Sequence, residues 1–336
     1  MRVSITIPAR NEKDSIVKCL DSIVNCNYNK QLLNVYVVDG MSDDGTTNII
    51  KNYCKSHPYI YLLENKQKTT PFALNIGLKN DDSDIKIILG AHAEIDSNYI
   101  NNCIQAFKID DKIGCTGGNI ENIAENDTSS IISKAMSSGF GVGNAYFRTG
   151  SRSGYVDTVA FGAYKKEVFE KIGYFDEELI RNQDDEFNFR LLKAGFKIYL
   201  SSSIKAKYYV RASFKKLYRQ YYQYGYWKVY VNKKHKTITT NRQIVPFLFV
   251  CYLIFGGILA FANSFLLICY VSIFFIYLIL AYYNGLKKSS SLIDSLKITY
   301  TFLILHLSYG TGYLNGLIRF YIFRKKPTSA STKLTR

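Results

Sequence analysis

The chain has 336 residues, a formal net charge of +16 and 47% hydrophobic residues. This length is typical of about two domains, and the apolar fraction exceeds what one soluble core needs. The seven cysteines contain no Cys-x-x-Cys pair. Their spacing argues against a disulfide framework or a zinc site and predicts small buried thiols in a reducing compartment.

Residues 3 to about 107 alternate between apolar strands and stretches of helical periodicity. Strands are predicted at 3–7, 35–38 and 87–89, and helices around 16–23, 49–54 and 100–107. A helix cap is expected at Asp96 or Ser97. This alternation predicts an α/β fold with a parallel sheet, in which ligands bind beyond the carboxyl ends of the strands.

Three polar loops follow these strands: PARNE at 8–12, DGMSDDGT at 39–46 and GAHAEID at 90–96. Because the carboxyl ends of parallel strands meet at one edge, we expect the loops to converge. Asp39 directly follows four apolar strand residues, a placement suited to hydrogen-bonding a ribose or base. For Asp43, Asp44 and Thr46, a ligand role and simple capping of the next helix both stay open.

No phosphate-binding glycine loop of the Gly-x-x-x-x-Gly-Lys type occurs in the sequence. The segment GFGVG at 139–143 lacks the flanking strand and helix that such a loop needs. It lies in a Gly/Ser-rich stretch, 137–154, which we interpret as a mobile loop that orders on substrate binding.

A second motif, RNQDDEFNFRLLKAGFKIYL, spans 181–200. Asp184, Asp185 and Glu186 open a predicted helix that ends near Gly195, with Leu191 and Leu192 facing inward. The helix dipole favours acidic residues in a first turn, so capping is an alternative for at least two of the three. A carboxylate held there could instead remove a proton from an acceptor hydroxyl during displacement at a sugar carbon.

The region from Lys205 to Arg242 holds 11 basic residues, no acidic residue and 10 aromatic residues. Such a pattern is typical of a membrane-surface segment. Single-stranded nucleic acid also binds to basic and aromatic residues. The apolar stretch that follows favours a lipid bilayer as the partner, and no nucleic acid is expected.

Residues 244–283 contain no Asp, Glu, Lys or Arg. As one helix they would extend about 60 Å, roughly twice a hydrocarbon core, so two spans at 244–262 and 264–283 are predicted. Lys287 and Lys288 would then lie in the cytosol. To keep Arg324–Lys326 on the same side, we predict a hairpin broken near Gly310–Gly312, with an interfacial helix as the alternative.

Seven motifs occur in the order seen in family 2 glycosyltransferases. They are PARNE, VVDGMSDDGT, ALNIGL, GAHA, VDTVAFGAYKKEVFEKIGYFDEEL, NQDDEFNFRL and YYVRASFKKLYRQYYQYGYWK. The set resembles the branch that includes the succinoglycan-type glucosyltransferases of bacterial exopolysaccharide assembly. This resemblance implies a GT-A fold with a Rossmann-like, mostly parallel sheet, followed by C-terminal membrane helices. It also implies a nucleotide diphosphate sugar as donor and inversion at the anomeric carbon.

The resemblance also implies roles for individual residues. The donor would be bound by Pro8, Asn11, Glu12, Asp39, Lys68, Asn75, Gly90 and Ala91. Asp184 falls at the position of the catalytic base, beside Asp185 and Glu186, although the preceding residue is Gln183 where the family often has Glu. The diphosphate or acceptor side would hold Arg211, Arg219, Gln220, Trp227 and Lys228, without the usual Gln-x-x-Arg-Trp spacing.

The family's Asp-x-Asp motif, which holds a divalent cation, corresponds here to Gly90 and His92. A neutral imidazole can bind Mn²⁺, whereas Mg²⁺ would lose two anionic ligands. Glu94 or Asp96 could compensate. The alternative interpretation is that His92 is a loop residue hydrogen-bonded to the backbone.

Together these features predict a membrane-bound inverting glycosyltransferase that uses a UDP-hexose and a polyprenyl-diphosphate-linked saccharide acceptor. The expected location is the bacterial inner (cytoplasmic) membrane, with the catalytic domain facing the cytosol. The predicted divisions are a GT-A domain at 1–204, a basic aromatic membrane-interface segment at 205–243, membrane helices at 244–323 and a basic tail at 324–336. Gly90 and Gln183 leave a second function open, a non-catalytic nucleotide-sugar-binding partner of a polysaccharide assembly complex.

Overall fold

One mixed β-sheet organises the N-terminal part of the computed structural model, which describes residues 1–150 and 152–327. Within those residues the sheet contains nine strands. They are β1 (Val3–Ala9), β2 (Leu33–Asp39), β3 (Ile60–Glu64), β4 (Ile85–Ile88), β5 (Ala93–Ile95), β6 (Ile113–Ile123), β7 (Gly154–Val156), β8 (Ala160–Lys165) and β9 (Lys197–Tyr209). Their order is β3-β2-β1-β4-β8-β6-β9-β5, with β7 also paired to β9.

The α-helices alternate with the strands at first and then follow one another. They are α1 (Ile16–Val24), α2 (Thr46–Ser56), α3 (Thr70–Lys79), α4 (Tyr99–Phe107), α5 (Asp127–Met136), α6 (Gly139–Val142), α7 (Tyr146–Thr149), α8 (Lys166–Ile172), α9 (Gln183–Lys193), α10 (Phe214–His235), α11 (Val245–Cys251), α12 (Gly257–Ala260), α13 (Ser264–Leu286) and α14 (Leu292–Leu317). The residues Tyr252–Gly256, between α11 and α12, and Ile318–Ile322, after α14, form π-helical turns.

The predicted α/β fold is confirmed, with two corrections to the sheet. Parallel pairing joins β1 to β2 and β4, and β2 to β3, whereas β8 runs antiparallel to β4 and β6. The sheet is therefore mixed. The predicted strand at 87–89, the third in the sequence analysis, corresponds to β4. The sequence pattern did not reveal β3, which precedes it. At this edge of the sheet only Ile60 is fully buried, so β3 lacks the apolar run that marks a central strand.

The helical periodicities correspond to buried faces. In α1 the four predicted apolar positions, Ile16, Cys19, Leu20 and Ile23, are all fully buried. In α9, Phe187 and Leu191 are fully buried, but Leu192 is 36% exposed, so its predicted inward orientation is wrong. Helix α4 begins after Asn98 rather than after the predicted cap, although the Asp96 carboxylate accepts a hydrogen bond from the Asn98 N–H (3.0 Å).

The chain divides into two compact units that interleave in sequence. The first contains residues 1–121 and 146–209, and the second contains 122–145 and the residues from 210 onward. Within the second unit, α5 and α6 pack on α14. Lys134 lies 3.3 Å from Asp294, and the Phe140 ring lies 5.1 Å from the Phe302 ring. The GFGVG segment is accordingly a helical turn on α14, and not the mobile loop that its composition suggested.

Helix α14 is continuous from Leu292 to Leu317, so the predicted break near Gly310–Gly312 is wrong. The glycines permit close helix packing instead. A Cβ added at Gly312 would overlap the carbonyl of Tyr222 in α10, and one at Gly310 would overlap the carbonyl of Pro246.

Among the described residues, two helical segments are long and apolar enough to cross a membrane, Asn241–Ala260 and Ser264–Leu286. Both agree with the predicted spans, and few of their side chains are buried. The reversal at Asn263 is confirmed, since its side chain caps α13 by accepting a hydrogen bond from the Leu266 N–H (2.9 Å). Of the predicted basic tail, residues 328–336 lie outside the described residues.

Candidate active site

The loops that follow β1 and β2 are joined by side-chain hydrogen bonds. The Asn11 amide group donates to Asp43 Oδ1 (2.9 Å), and its Oδ1 accepts from the Asp43 N–H (3.1 Å). The Asn11 N–H donates to Ser42 Oγ, and the Glu12 N–H donates to Thr46 Oγ1, both at 2.9 Å. The predicted convergence of these two loops is therefore confirmed.

Asp39 lies at the end of β2, opposite Ala9 of β1, and is 5% exposed. Its Oδ1 accepts from Ser42 Oγ (2.5 Å), and its Oδ2 accepts from the Ser42 N–H (3.2 Å) and from Thr47 Oγ1 (2.9 Å). The carboxylate therefore orders its own loop. Contact with a nucleoside stays a prediction for this residue.

Asp44 and Thr46 flank Gly45, the N-cap residue of helix α2. Asp44 Oδ1 accepts from the Thr46 N–H (2.9 Å) and from Thr46 Oγ1 (2.6 Å), while Oδ2 accepts from the Lys13 N–H (3.1 Å). Burial alone would raise the pKa of Asp44, but the hydrogen bonds from Thr46 and Lys13 lower it below the usual value. Asp44 thus orders the start of the helix through Thr46, and a ligand role stays a prediction for both residues.

The GAHAEID loop joins the same edge. The Leu89 N–H donates to the Thr6 carbonyl oxygen (3.0 Å), which extends the pairing of β4 with β1. His92 Nδ1 then lies 3.5 Å from Glu12 Oε1. The imidazole also packs edge-on against Tyr208, with ring centroids 5.4 Å apart. His92 is thus placed beside a carboxylate of the PARNE loop.

Gly90 lies where the surrounding side chains leave little room. A Cβ added there would come within 3.3 Å of the Phe161 ring and 3.5 Å of the His92 ring. Ala91, the next residue, is buried. A larger residue at position 90 would press the Phe161 ring outward, so the packing matches the glycine that the sequence has.

Backbone strain concentrates around these loops. Non-glycine residues with positive φ in the first unit are Asn11, Met41, Lys68, Phe161 and Asn182, with φ between 50° and 61°. Each lies within or beside a predicted site motif. Such conformations cost about 1–3 kcal/mol each and persist where the surroundings enforce them, most often at functional sites.

Two predicted donor-binding residues have clear structural partners. The buried Asn75 amide donates to the Phe175 carbonyl oxygen and to Glu177 Oε1, both at 2.9 Å, and accepts from the Phe175 N–H (3.0 Å). Pro8 lies opposite Val38 in the β1–β2 register. Asn75 therefore links α3 to the segment before α9, and a contact with the donor stays a prediction.

The three acidic residues of α9 have different environments. Asp184 is exposed in the first turn, and its charge raises the pKa of the buried Tyr164, although burial is the larger cause. Asp185 is half-buried. Glu186 is buried and accepts from Arg190 Nε (2.7 Å) and from a second Arg190 nitrogen (3.0 Å). Its carboxylate thus has a structural ion pair, which leaves Asp184 and Asp185 as the candidates for proton transfer.

The residues predicted for the diphosphate or acceptor side belong to the second unit. Arg219 is exposed on α10, and Arg211 precedes that helix. Gln220, Trp227 and Lys228 are buried, and Lys228 Nζ donates to Thr240 Oγ1 (3.1 Å). Burial favours a structural role for these three, whereas Arg219 keeps the accessibility that a phosphate contact needs.

A protein-only cation site does not fit the residues present. Gly90 supplies no side-chain ligand atom, and residues 1–150 and 152–327 contain no group of three or more His, Cys, Asp or Glu side chains placed to hold a metal. Glu94 accepts from Lys207 (3.2 Å) and also from Tyr209, so its carboxylate has structural partners. Metal binding by His92, with Glu94 or Asp96 as a further ligand, stays a prediction.

Sequence reasoning missed several residues that shape the site. Tyr164 OH donates to Asn188 Oδ1 (3.1 Å), and Asn188 Nδ2 donates to Thr158 Oγ1 (3.0 Å), which anchors α9 beneath its acidic turn. Tyr208 contacts His92 and also the guanidinium of Arg148, which lies 5.1 Å from its ring centroid. Thr158, Tyr164, Asn188 and Tyr208 all lie within the quoted motifs, but their partners are distant in sequence, so the motifs could have indicated their importance and not their contacts.

Comparison with known proteins indicates the family of this chain. Residues 4–173 match the family model described as glycosyl transferase family 2. A Methanococcus voltae protein, dolichyl N-acetyl-alpha-D-glucosaminyl phosphate 3-beta-D-2,3-diacetamido-2,3-dideoxy-beta-D-glucuronosyltransferase, is 35% identical over 66% of this chain and 71% of its own length. The succinoglycan biosynthesis protein ExoA of Rhizobium meliloti (strain 1021) is 26% identical over 77% of this chain and 78% of its own.

A solved structure shares the fold. Mannosyltransferase PcManGT from Pyrobaculum calidifontis, in complex with GDP-Man and Mn²⁺, aligns with a TM-score of 0.57 at 18% identity, over 96% of this chain and 88% of its own. The predicted GT-A fold is thereby confirmed. On the family model, the sequence relatives and the site at the ends of the parallel strands, the chain belongs to glycosyl transferase family 2.

Proposed function

We propose that this glycosyltransferase transfers a hexose from a UDP-sugar to a lipid-linked saccharide, with inversion, during synthesis of a surface or extracellular polysaccharide. The observation that carries the proposal is the edge at which the loops after β1, β2 and β4 converge. In open sheets this edge binds nucleotides. Asn11, Glu12 and Asp39 lie in the loops after β1 and β2, where we place the donor.

Asp184 is the proposed base. Its side chain is exposed in the first turn of α9, where the helix dipole favours a negatively charged side chain. It takes the proton of the acceptor hydroxyl while that oxygen bonds to the anomeric carbon. On the opposite face the bond from that carbon to the diphosphate oxygen breaks, and the nucleotide diphosphate leaves with the electron pair. Attack opposite the leaving group inverts the anomeric centre.

A divalent cation, Mn²⁺ or Mg²⁺, would offset the negative charge of the leaving diphosphate. His92 and Glu12 are the residues of this chain that would hold it. The chain's own positive charge supplements that effect, with Arg219 and Arg211 as the proposed phosphate contacts in the second unit.

The names of the relatives support a lipid-linked acceptor. The M. voltae enzyme is named for a dolichyl phosphate-linked N-acetylglucosamine, and ExoA for succinoglycan biosynthesis. The apolar segments Asn241–Ala260 and Ser264–Leu286 would anchor this chain in the cytoplasmic membrane that holds such an acceptor. Lys287 and Lys288 after the second segment favour a cytosolic catalytic unit. A polyprenyl-diphosphate-linked saccharide is the proposed acceptor.

The test is release of UDP by the purified chain in lipid nanodiscs, with a panel of UDP-hexoses and lipid-linked saccharides that carry either one phosphate or two. We expect release that depends on the acceptor. Asp184→Asn should lower the rate constant about 10²–10⁴-fold while the nucleotide still binds, because the base is lost and the fold is kept.

Asp127→Asn is the matched control, since Asp127 is also an exposed acid in a first helical turn. It should retain full turnover. Full turnover in Asp184→Asn would refute the assignment of the base. Nucleotide binding without turnover for every donor and acceptor would favour the second candidate, a non-catalytic nucleotide-sugar-binding partner, for which Gly90 and Gln183 are the motivating residues.

A further inference from the structure

The C-terminal ends of α10 and α14 meet within the second unit. Asn232 Nδ2 of α10 donates to Tyr313 OH of α14 (3.0 Å). One residue further along, Lys233 Nζ donates to the Phe320 carbonyl oxygen (2.7 Å), in the π-helical turn that follows α14. The rings of Tyr230 and Phe320 also lie 5.0 Å apart. The last turn of α10 is thereby joined to the turn after α14.

These two ends carry a cluster of positive charge. This cluster, the C-terminal patch, comprises residues 233–236 and 319–326. Its lysine and arginine side chains are Lys233, Lys234, Lys236, Arg319, Arg324, Lys325 and Lys326. Among residues 210–327 the one acid is Asp294, which pairs with Lys134 (3.3 Å) at the other end of α14, about 35 Å along the helix. No acid of that stretch therefore lies beside the patch.

Exposed apolar side chains lie inside the same patch. Ile322 is 70% exposed and Phe323 is 62% exposed, and the two form its apolar tip. The backbone then reverses, because Arg324 has a positive φ of 52° and the Lys325 N–H donates to the Arg319 carbonyl oxygen (3.0 Å). The turn thus presents an apolar tip bordered by basic residues.

The patch lies close to the point at which the chain enters its first long apolar segment. Lys236, the C-cap residue of α10, is five positions before Asn241, so at most about 18 Å of extended chain separates them. Between them, Thr239 donates to Asn232 Oδ1 both from its N–H (3.1 Å) and from its hydroxyl (2.9 Å). This connection folds back on α10, which keeps the patch beside the start of Asn241–Ala260.

We infer that the C-terminal patch docks on the membrane surface by binding the phosphate groups of anionic lipids, while its apolar tip enters the boundary between headgroups and acyl chains. Basic residues beside exposed apolar side chains suit this boundary. An anionic leaflet attracts such residues over about one Debye length. Both parts of the patch then contact one membrane surface, although α14 has no break. The inference rests on the membrane anchoring in the proposed function.

The test follows a tryptophan placed in the apolar tip. The chain has one tryptophan, the buried Trp227, so Ile322→Trp adds an exposed one. The full chain is reconstituted in nanodiscs of phosphatidylcholine, alone or mixed with phosphatidylglycerol, with acyl chains brominated near the glycerol as the quencher. Because interfacial apolar groups are buried by about 5–10 Å, we expect the anionic discs to quench about half of the added emission. Quenching should be weak in phosphatidylcholine alone, and also in about 1 M NaCl, where the Debye length is about 3 Å.

Removal of charge from the patch should release the tip. We expect Lys325→Gln/Lys326→Gln, combined with Ile322→Trp, to lower the ratio of docked to undocked chains about 25-fold, since each basic residue near an anionic surface contributes about 5-fold. Lys51→Gln/Lys55→Gln is the matched control, because both lysines are exposed on α2, outside the patch. It should leave the quenching unchanged. A Tm equal to that of the parent chain shows that each variant is folded.

Absence of quenching in both kinds of disc would overturn the inference, because the tip would not enter the bilayer. Equal quenching with and without phosphatidylglycerol would also overturn it, since apolar burial alone would then dock the turn. In either case sugar transfer and anchoring by the two apolar segments would still stand. A chain that did not remain with the nanodiscs on gel filtration would instead contradict the anchoring in the proposed function, and the inference with it.

Discussion

Single carboxylates in this chain differ in role according to their neighbours, even within one helical turn. Asp184 and Glu186 are two residues apart in α9, but one is exposed and the other is buried against Arg190. The same arginine also donates to the carbonyl oxygens of Ile172 (2.5 Å) and Tyr174 (2.8 Å). Glu186 thus balances a guanidinium that ties α9 to the segment after α8.

Replacing Glu186 by Gln should reduce stability rather than the chemical step. The partly buried Arg190 would lose its counter-ion, a change that costs about 2–3 kcal/mol. We expect the Tm to fall by about 4–9 °C, measured by scanning fluorimetry in one detergent.

Glu170→Gln provides the comparison, because Glu170 makes the same i,i+4 contact with Lys166 (3.3 Å) but is 60% exposed. Such exposed pairs contribute little, so its Tm should stay within about 1–2 °C of the wild type. Equal Tm losses in the two variants would show that burial does not distinguish the pairs.

The positions of Asp39 and Asp184 could be predicted from sequence because each lies at a recognisable end of an element, Asp39 at the end of β2 and Asp184 in the first turn of α9. The partners of Asn75 and Asn188 could not. Asn75 bonds to Phe175, 100 residues away, and Asn188 to Thr158, 30 residues away. A buried amide looks like a ligand-binding residue in a motif until the fold shows what satisfies it.

Elements of the fold followed from periodicity wherever a face is fully buried. The helices α1 and α4 and the strands β1 and β2 were predicted from their apolar positions. The edge strand β3 was missed because only Ile60 of its five side chains is buried. Helix α14 was wrongly predicted to break at Gly310 and Gly312. The sequence alone does not distinguish glycines that end a helix from glycines that allow a second helix to pack closely.

The packing of α10 on α14 predicts that a Gly→Ala change in α10 lowers the stability of the protein, which is the opposite of its usual effect in a helix. Gly→Ala within a helix normally stabilises it by about 1 kcal/mol. At Gly225, however, an added Cβ would overlap the carbonyl of Tyr309 in α14. We expect Gly225→Ala to lower stability by about 1–3 kcal/mol, seen as a lower Tm.

Gly139→Ala is the control for that variant, because a Cβ added at Gly139 meets no atom within 4 Å. Its Tm should equal or exceed that of the wild type. A Gly225→Ala chain that gained stability would mean that the two helices are not in close contact.

Asp81, in the turn between α3 and β4, contributes to the free energy of unfolding in a way that depends on pH. Burial would raise the pKa of Asp81, but hydrogen bonds from Asn34 and Ser83 and the charge of Lys86 lower it. The stabilisation is therefore complete above about pH 4, the unfolded pKa, and is lost as the pH falls through the folded value. Asp81→Asn should reduce the fall in Tm that the wild type shows below pH 4. If the Tm of the variant fell with pH as in the wild type, Asp81 would not be the source of this stabilisation.

At the scale of the whole molecule, the described residues combine a sheet-based unit with apolar helices whose side chains are exposed. Exposed apolar surface of this extent is unfavourable in water and indicates a lipid or protein environment. Membrane association is therefore part of the proposed function, and charge placed on this surface should disturb it.

Ile276→Lys should impair integration into membranes. Ile276 is 57% exposed in α13, where a lysine costs about 2.5–3.5 kcal/mol at the centre of a span. Flotation after carbonate extraction should show less protein in the membrane fraction. Ile109→Lys is the control, since Ile109 is 55% exposed in the sheet-based unit. If the lysine at 276 had no effect on flotation, α13 would not lie in the bilayer.

The interleaving of the two units has a consequence for biosynthesis. Helices α5 and α6 leave the ribosome about 160 residues before α14, the helix that covers them. At about 5–20 residues per second, Lys134 and Phe140 are synthesised roughly 8–32 s before their partners in α14, Asp294 and Phe302. During that interval, only those strands that have already left the ribosome can pair in the sheet. The yield of folded enzyme would then depend on whether a chaperone or the membrane shields the apolar side chains of α5 and α6 during this interval.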